Sequence, residues 1–115
     1  MRFFILLQIF VLQTSILSSQ TERHLKNLKM LTHGGDNAEA YFSFNGKFAS
    51  FQSNNPQWDL KCDQIFNLDI EKATKDTTYK PFRISNGKGR TTCSYFLKDG
   101  KHILYASTYK AGDEC

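Results

Sequence analysis

The sequence has no block of like charge. Its 15 lysines and arginines and 11 aspartates and glutamates, a formal net charge of +4, are intermixed along the chain. A protein that follows the phosphates of a nucleic acid, or binds an anionic membrane surface, concentrates its positive charge in a patch or stripe. The sequence therefore predicts that nucleic acid is not the partner.

The sequence also has no apolar run long enough to span a bilayer, which takes about 20 residues. Its longest, from Phe3 to Leu12, is interrupted only by Gln8; it follows a single basic residue and leads into a polar, small-residue stretch that reaches Gln20. This order is typical of a secretory signal peptide. We predict a signal peptide over residues 1–19 and no membrane span after its cleavage; an uncleaved anchor is the alternative.

Motifs for catalysis or metal binding are missing. There is no Gly-x-Ser-x-Gly, and the glycine-rich stretch Gly87 to Thr92 does not have the spacing of a phosphate-binding loop. The three histidines and three cysteines are scattered single residues, which is not the spacing of a zinc site. We predict no catalytic residue, no metal and no cofactor.

Cysteine is scarce and odd in number. In the oxidising compartment that the signal peptide predicts, three cysteines imply a free thiol, an intermolecular bond or a partner outside this sequence. The residues are Cys62, Cys93 and Cys115.

What the sequence does contain is a short segment that occurs twice. Tyr41 to Lys47 (YFSFNGK) returns as Tyr95 to Lys101 (YFLKDGK); the copies start at positions 41 and 95, a period of 54 residues. Asn-Gly and Asp-Gly between β-prone segments are strong hairpin signals, because both residues accept a positive φ. A supersecondary unit that repeats at a fixed period predicts a solenoid, a propeller or an array.

Each period holds four predicted strands, which is typical of a propeller blade. The segment Glu71 to Thr78 reads as a polar connection, and Pro81 confines the fourth strand to a sheet edge. Leu25 to Thr32 fits a helix and a strand equally well. The strands are predicted at Ala38–Ser43, Lys47–Ser53, Gln64–Asp69 and Tyr79–Ser85, and the next period starts with Thr92–Leu97.

These motifs resemble the WD-like propeller repeat of TolB-type proteins. That repeat typically has a Phe-Ser-Pro-Asp-Gly-Lys turn and an Ile-Tyr/Phe-x-x-Asp strand, which Ser43 to Lys47 and Ile65 to Asp69 approximate. The match covers residues 25–115. It departs from the family at Phe44 and Lys98, which stand where proline is usual, and in the long connection after the third strand.

The resemblance implies an all-β fold: a β-propeller fragment with one complete four-stranded blade plus half of the next, after an N-terminal signal peptide. Residues 20–37 would be a linker and the outer strand of a preceding blade, which favours the strand reading of Leu25 to Thr32. Residues 38–85 would form the complete blade and residues 86–115 the first half of the next, truncated. A self-contained small β domain is the alternative.

TolB-type resemblance further implies a non-enzymatic scaffold, periplasmic or secreted, that binds a protein or a cell-envelope component. If the chain is a fragment, the remaining blades of the same propeller are also partners. The alternative function is a propeller that precedes a peptidase or other hydrolase domain in a longer secreted enzyme.

On this template, binding residues would lie in the loops that enter the first strand of each blade. The loop between the second and third strands and the starts of neighbouring blades lie on one face, so we predict a Cys62–Cys93 disulfide. Most aromatic residues are expected in the core between blades, with Trp58 as the candidate surface anchor. The predicted ligand-binding residues are Asp36, Asn37, Glu39, Arg90 and Thr92.

Overall fold

The computed structural model describes residues 23–115, which form two antiparallel β-sheets. The predicted signal peptide lies outside the described residues. The first sheet has four strands in the order β1-β2-β3-β4, and the second is the hairpin β5-β6. The strands are β1 Asn37–Phe42, β2 Phe48–Ser53, β3 Gln64–Asp69, β4 Phe82–Arg83, β5 Thr91–Phe96 and β6 Ile103–Ser107, with a 3-10 turn at Pro56–Trp58 and one helix, α1, at Ile70–Lys75.

The predicted all-β fold is confirmed at the level of these antiparallel sheets. Strand β3 lies where the sequence predicts it, and β1, β2 and β5 differ from their predicted bounds by one residue. The fourth strand lies at the sheet edge, as Pro81 predicts, but it is only two residues long. The backbone of Ile84 still donates to Ile65 O (2.8 Å), so the chain follows β3 past the end of β4.

The predicted polar connection after β3 contains helix α1, which is a correction. Asp69 caps its start, since its carboxylate accepts from the Lys72 backbone N–H at 3.1 Å. A Glu71–Lys75 ion pair (2.5 Å) spans one turn on the exposed side, and Ala73 is buried against the sheet. A helix of six residues is too short to give a readable hydrophobic period.

The predicted outer strand at Leu25 to Thr32 is also wrong: this segment has no regular secondary structure. It pairs with no other strand in the described part of the chain, and Leu28 is 75% exposed. Leu31 packs against the hydrophobic core. The segment is therefore held by a side-chain contact rather than by a backbone ladder.

The hydrophobic core covers one face of the first sheet. Its buried centre is Phe51, Phe66, Leu68 and Ala73. The Trp58 ring lies 4.7 Å from the Phe66 ring, so the predicted surface anchor is instead partly buried core.

The β5-β6 hairpin packs against the opposite face of the first sheet. The Thr91 backbone N–H donates to Asp63 O at 3.0 Å, and the Gln64 side-chain amide donates to Gly89 O at 2.9 Å. Ser50 and Ser94 are both buried in this region. The two sheets are thus stacked, with the hydrophobic core on one side of the first sheet and the hairpin on the other.

The two hairpins of the repeat are structurally equivalent. The pairing of Tyr41 with Ser50 and of Phe42 with Ala49 returns 54 residues later as Tyr95 with Leu104 and Phe96 with Ile103. Both first strands carry a bulge at the same place, just before the tyrosine. The repeated sequence therefore encodes a repeated structure, down to the irregularity of the strand.

The tight turns of the two hairpins match as well. Gly46 and Gly100 have φ of 68° and 67°, in the left-handed region that glycine adopts without a steric cost. The side-chain oxygen of Asn45 accepts from the Lys47 backbone N–H at 3.0 Å, and that of Asp99 accepts from Lys101 at 2.9 Å. Such bonds fix a turn locally, which explains why the hairpins are readable from the sequence.

The disulfide joins Cys62 to Cys115, so the predicted Cys62–Cys93 pair is wrong. The Cα atoms of the bonded pair are 5.5 Å apart, and Lys61 forms an ion pair with Glu114 (3.6 Å) beside them. Cys93 is a free, exposed thiol, and it lies in the bulge of β5. The bond therefore ties the segment after β6 to the loop before β3.

Candidate binding site at the bulges of β1 and β5

The two bulges present a pair of residues in an uncommon backbone conformation. Glu39 has φ of 54° and Cys93 has φ of 52°, and both occupy the same place in the repeat. Non-glycine residues pay a steric cost in this left-handed region, and bulges often turn a side chain towards a functional surface. The surface around these residues is therefore the strongest candidate site.

Tyr41 links the two bulges. Its phenol donates a hydrogen bond to the Glu39 carboxylate at 2.9 Å. This bond, together with the negative charge of Glu39, raises the pKa of Tyr41, with smaller contributions from partial desolvation and from Cys93. The glutamate of one bulge and the cysteine of the other therefore both lie near the same phenol.

Three exposed aromatic rings continue this surface. The Tyr41 and Tyr95 rings are 5.7 Å apart and the Phe44 and Tyr95 rings 6.2 Å apart, both edge to face. Tyr41 is 40% exposed, Tyr95 is 50% exposed and Phe44 is 57% exposed. The expectation that these aromatics lie in the core is wrong: Tyr41 and Tyr95 follow the bulges, and Phe44 lies in the turn after β1.

Thr92 completes the site from β5. Its hydroxyl donates to the Gln52 side-chain oxygen at 2.5 Å and lies 3.3 Å from the Cys93 sulfur. The hydrogen bond to Gln52 joins the second hairpin to the first sheet. We call the group Glu39, Tyr41, Thr92, Cys93 and Tyr95 the bulge site.

Glu39 and Thr92 are thus the two predicted binding residues that the structure brings together. The other three hold loops. The Asp36 carboxylate accepts from the Asn54 amide at 3.1 Å, the Asn37 amide donates to Gly34 O at 3.0 Å, and Arg90 lies 3.5 Å from the Asp63 carboxylate. Asp36, Asn37 and Arg90 therefore position the entrances of β1 and β5 rather than lie in the bulge site.

Sequence reasoning missed Tyr41 and Tyr95 as site residues. The available signal was that each tyrosine is the first residue of one copy of the repeated segment. Alternation along the strand assigns them to a buried face only if the strand is regular, and the bulges break that alternation. The odd cysteine count was a second signal, since it leaves one of the three cysteines without a partner in this sequence.

The bulge site offers a carboxylate, a phenol, a hydroxyl, a thiol and the edges and faces of aromatic rings. These groups suit hydrogen bonding and aromatic contact with a partner. Among residues 23–115, no group of three or more histidine, cysteine, aspartate or glutamate side chains is placed to hold a metal ion. In the same part of the chain, no helix has the length and apolar character needed to cross a bilayer.

Comparisons of this chain with known protein families, with curated proteins and with solved structures found no match.

Proposed function

We propose that the chain contributes consecutive blades to an exported, non-enzymatic β-propeller of the TolB-like kind, which acts as a protein-binding scaffold. One observation carries the proposal: two hairpins with the same register, bulge and turn follow one another at a period of 54 residues (41 to 95) and stack face to face. Propellers are built by such radial repetition of antiparallel sheets.

The binding role is supported by the bulge site. Tyrosine is enriched in protein interfaces, because it supplies a large contact area and a hydroxyl at a small cost in conformational entropy. Tyr41 and Tyr95 are half-exposed and fixed in an edge-to-face pair. A protein partner could therefore bury both rings without first having to order them.

Export to the periplasm or the cell exterior is supported by two features. The first is the signal peptide that the sequence predicts over residues 1–19. The second is the Cys62–Cys115 disulfide, since such bonds persist in oxidising compartments.

Site-specific photocrosslinking in cells that export the protein tests the binding role. A benzophenone amino acid at Tyr95 should form a covalent adduct with a protein, and the adduct should disappear when Tyr41→Ala is added. The matched control is the same substitution at Tyr109, a tyrosine of similar exposure (41%) outside the bulge site. Equal labelling from positions 95 and 109, or none from either, would refute a binding role for this site.

A further inference from the structure

The two repeat units allow the exposure of equivalent residues to be compared. Phe42 in β1 and Phe96 in β5 occupy the same position of the repeat, each paired across its hairpin in the same register. Phe96 is 7% exposed and Phe42 is 69% exposed. The difference arises because Phe96 lies under the first sheet, whereas no described residue covers Phe42 in the same way.

On the opposite side of the two hairpins, the residue of the first unit is buried and that of the second is exposed. Ser50 in β2 and Leu104 in β6 are equivalent, since each pairs with the tyrosine of its own hairpin. Ser50 is 0% exposed because the β5-β6 hairpin covers it, whereas Leu104 is 66% exposed. Ala106, two residues further along β6 on the same face, is exposed too.

Within the chain, then, the face that carries Ser50 packs on the face that carries Phe96. The counterparts of these two faces are both open. We call them the Phe42 face, made of Asn37, Ala40 and Phe42, and the Leu104 face, made of Leu104 and Ala106. The contact within the chain indicates what kind of surface would cover each. The Phe42 face fits a surface equivalent to the one that carries Ser50, and the Leu104 face fits a surface equivalent to the one that carries Phe96.

We infer that the occupant of each open face is a second copy of this chain, docked head to tail with its Phe42 face on the Leu104 face. This inference rests on the proposed function, in which repeat units stack, and it identifies the molecule that supplies the neighbouring units. Because two different surfaces meet, the contact is heterologous, and further copies add until a ring closes or a filament forms.

The chemistry of the open faces favours this contact. In the chain, Phe96, Ser50 and Ser94 are all buried, and the two serine hydroxyls have no hydrogen-bond partner among the described residues. Between copies, the equivalent positions are Leu104 and the small Ala40, so the contact would bury apolar atoms without stranding a hydroxyl.

The neighbourhood of the Phe42 face also leaves room for an apolar side chain. A groove of about 170 Å³ runs beside it, lined by Leu31, Ala38, Ala40, Phe51 and their neighbours. The Tyr41–Tyr95 contact would recur between copies, with Tyr95 of one beside Tyr41 of the next. This tyrosine contact matches the stacking already present within the chain.

Sedimentation velocity of the signal-cleaved, oxidised chain over a range of concentrations tests the inference. The wild-type chain should form species larger than a dimer as concentration rises. Phe42→Asp and Leu104→Asp should each weaken association by about tenfold or more, because each places a charge in an apolar contact. Phe82→Asp is the matched control: Phe82 is 71% exposed but belongs to neither face, so this variant should associate like the wild type.

Mixing the two weakened variants gives the decisive result. Leu104→Asp retains an intact Phe42 face and Phe42→Asp retains an intact Leu104 face, so the mixture should form dimers and nothing larger. A monomeric wild type, association that Phe82→Asp reduces equally, or a mixture that stays monomeric would each overturn head-to-tail docking.

Hydrogen exchange on the same samples separates this inference from the proposed function. If β5 and β6 are protected while the wild type stays monomeric, the stacking of units within the chain holds and only the contact between copies fails. If the wild type is monomeric and β5 and β6 exchange as fast as an unfolded chain, the stacked scaffold fails as well. Circular dichroism of each variant confirms that the exposed substitutions leave the fold intact.

Discussion

Replacing Phe96 by alanine should destabilise the chain far more than the same replacement of Phe42. The two residues share a repeat position and differ mainly in exposure, 7% for Phe96 and 69% for Phe42. Truncating a buried phenylalanine removes its transfer free energy and leaves a cavity, which costs about 3–5 kcal/mol. Since Phe96 retains a little exposure, we expect a loss of about 3 kcal/mol in the free energy of unfolding.

Phe42→Ala is the matched control, because the residue removed and its backbone setting are the same. A mostly exposed side chain contributes little, so its loss should change the free energy of unfolding by no more than about 0.5 kcal/mol. Urea unfolding of the oxidised chain, at concentrations low enough to prevent association, measures both values. Equal losses for the two variants would show that the second hairpin does not stack on the first sheet.

Three further predictions concern single groups. Glu39→Gln should lower the pKa of Tyr41 towards its ordinary value, because the carboxylate that the phenol donates to is lost; carbon NMR of labelled tyrosine measures it, and an unchanged titration would contradict the contact. The hydrogen bond from His102 lowers the pKa of Asp99 to about 2, so this group stabilises the folded chain above pH 3.8 and the stabilisation is lost as the pH falls towards 2; a carboxyl carbon that titrates near 3.8 would argue against it. Cys115→Ser opens a loop with a sequence separation of 53 and should lower the free energy of unfolding in urea by about 2–4 kcal/mol, whereas unchanged stability would contradict a stabilising Cys62–Cys115 bond.

The hairpins could be predicted from the sequence because their information is local. Asn45-Gly46 and Asp99-Gly100 carry both the glycine and the side-chain oxygen that the turn requires. The strands on either side then follow from the turn. Helix α1 could not be predicted with the same ease, because its support is a capping contact from Asp69 and one buried alanine rather than a periodic pattern.

The cysteine pairing and the bulge site depend on tertiary structure, so neither could be predicted from the sequence. Cys93 and Cys115 are equally eligible partners for Cys62 until the path of the chain after β6 is known. The positive φ of Glu39 and Cys93 has no signature in residue type, since neither is glycine or asparagine. Only Glu39 and Thr92 of the predicted binding residues lie in the bulge site, because loop residues such as Asp36 are engaged in holding the loops.

Proton NMR contacts between the rings of Tyr41 and Tyr95 test most directly whether two equivalent hairpins stack. With the ring centres 5.7 Å apart, the account predicts a clear cross-peak between them, together with contacts from Phe96 to the first sheet. Intact cross-strand contacts within both hairpins, but no cross-peak between the two tyrosines, would contradict it.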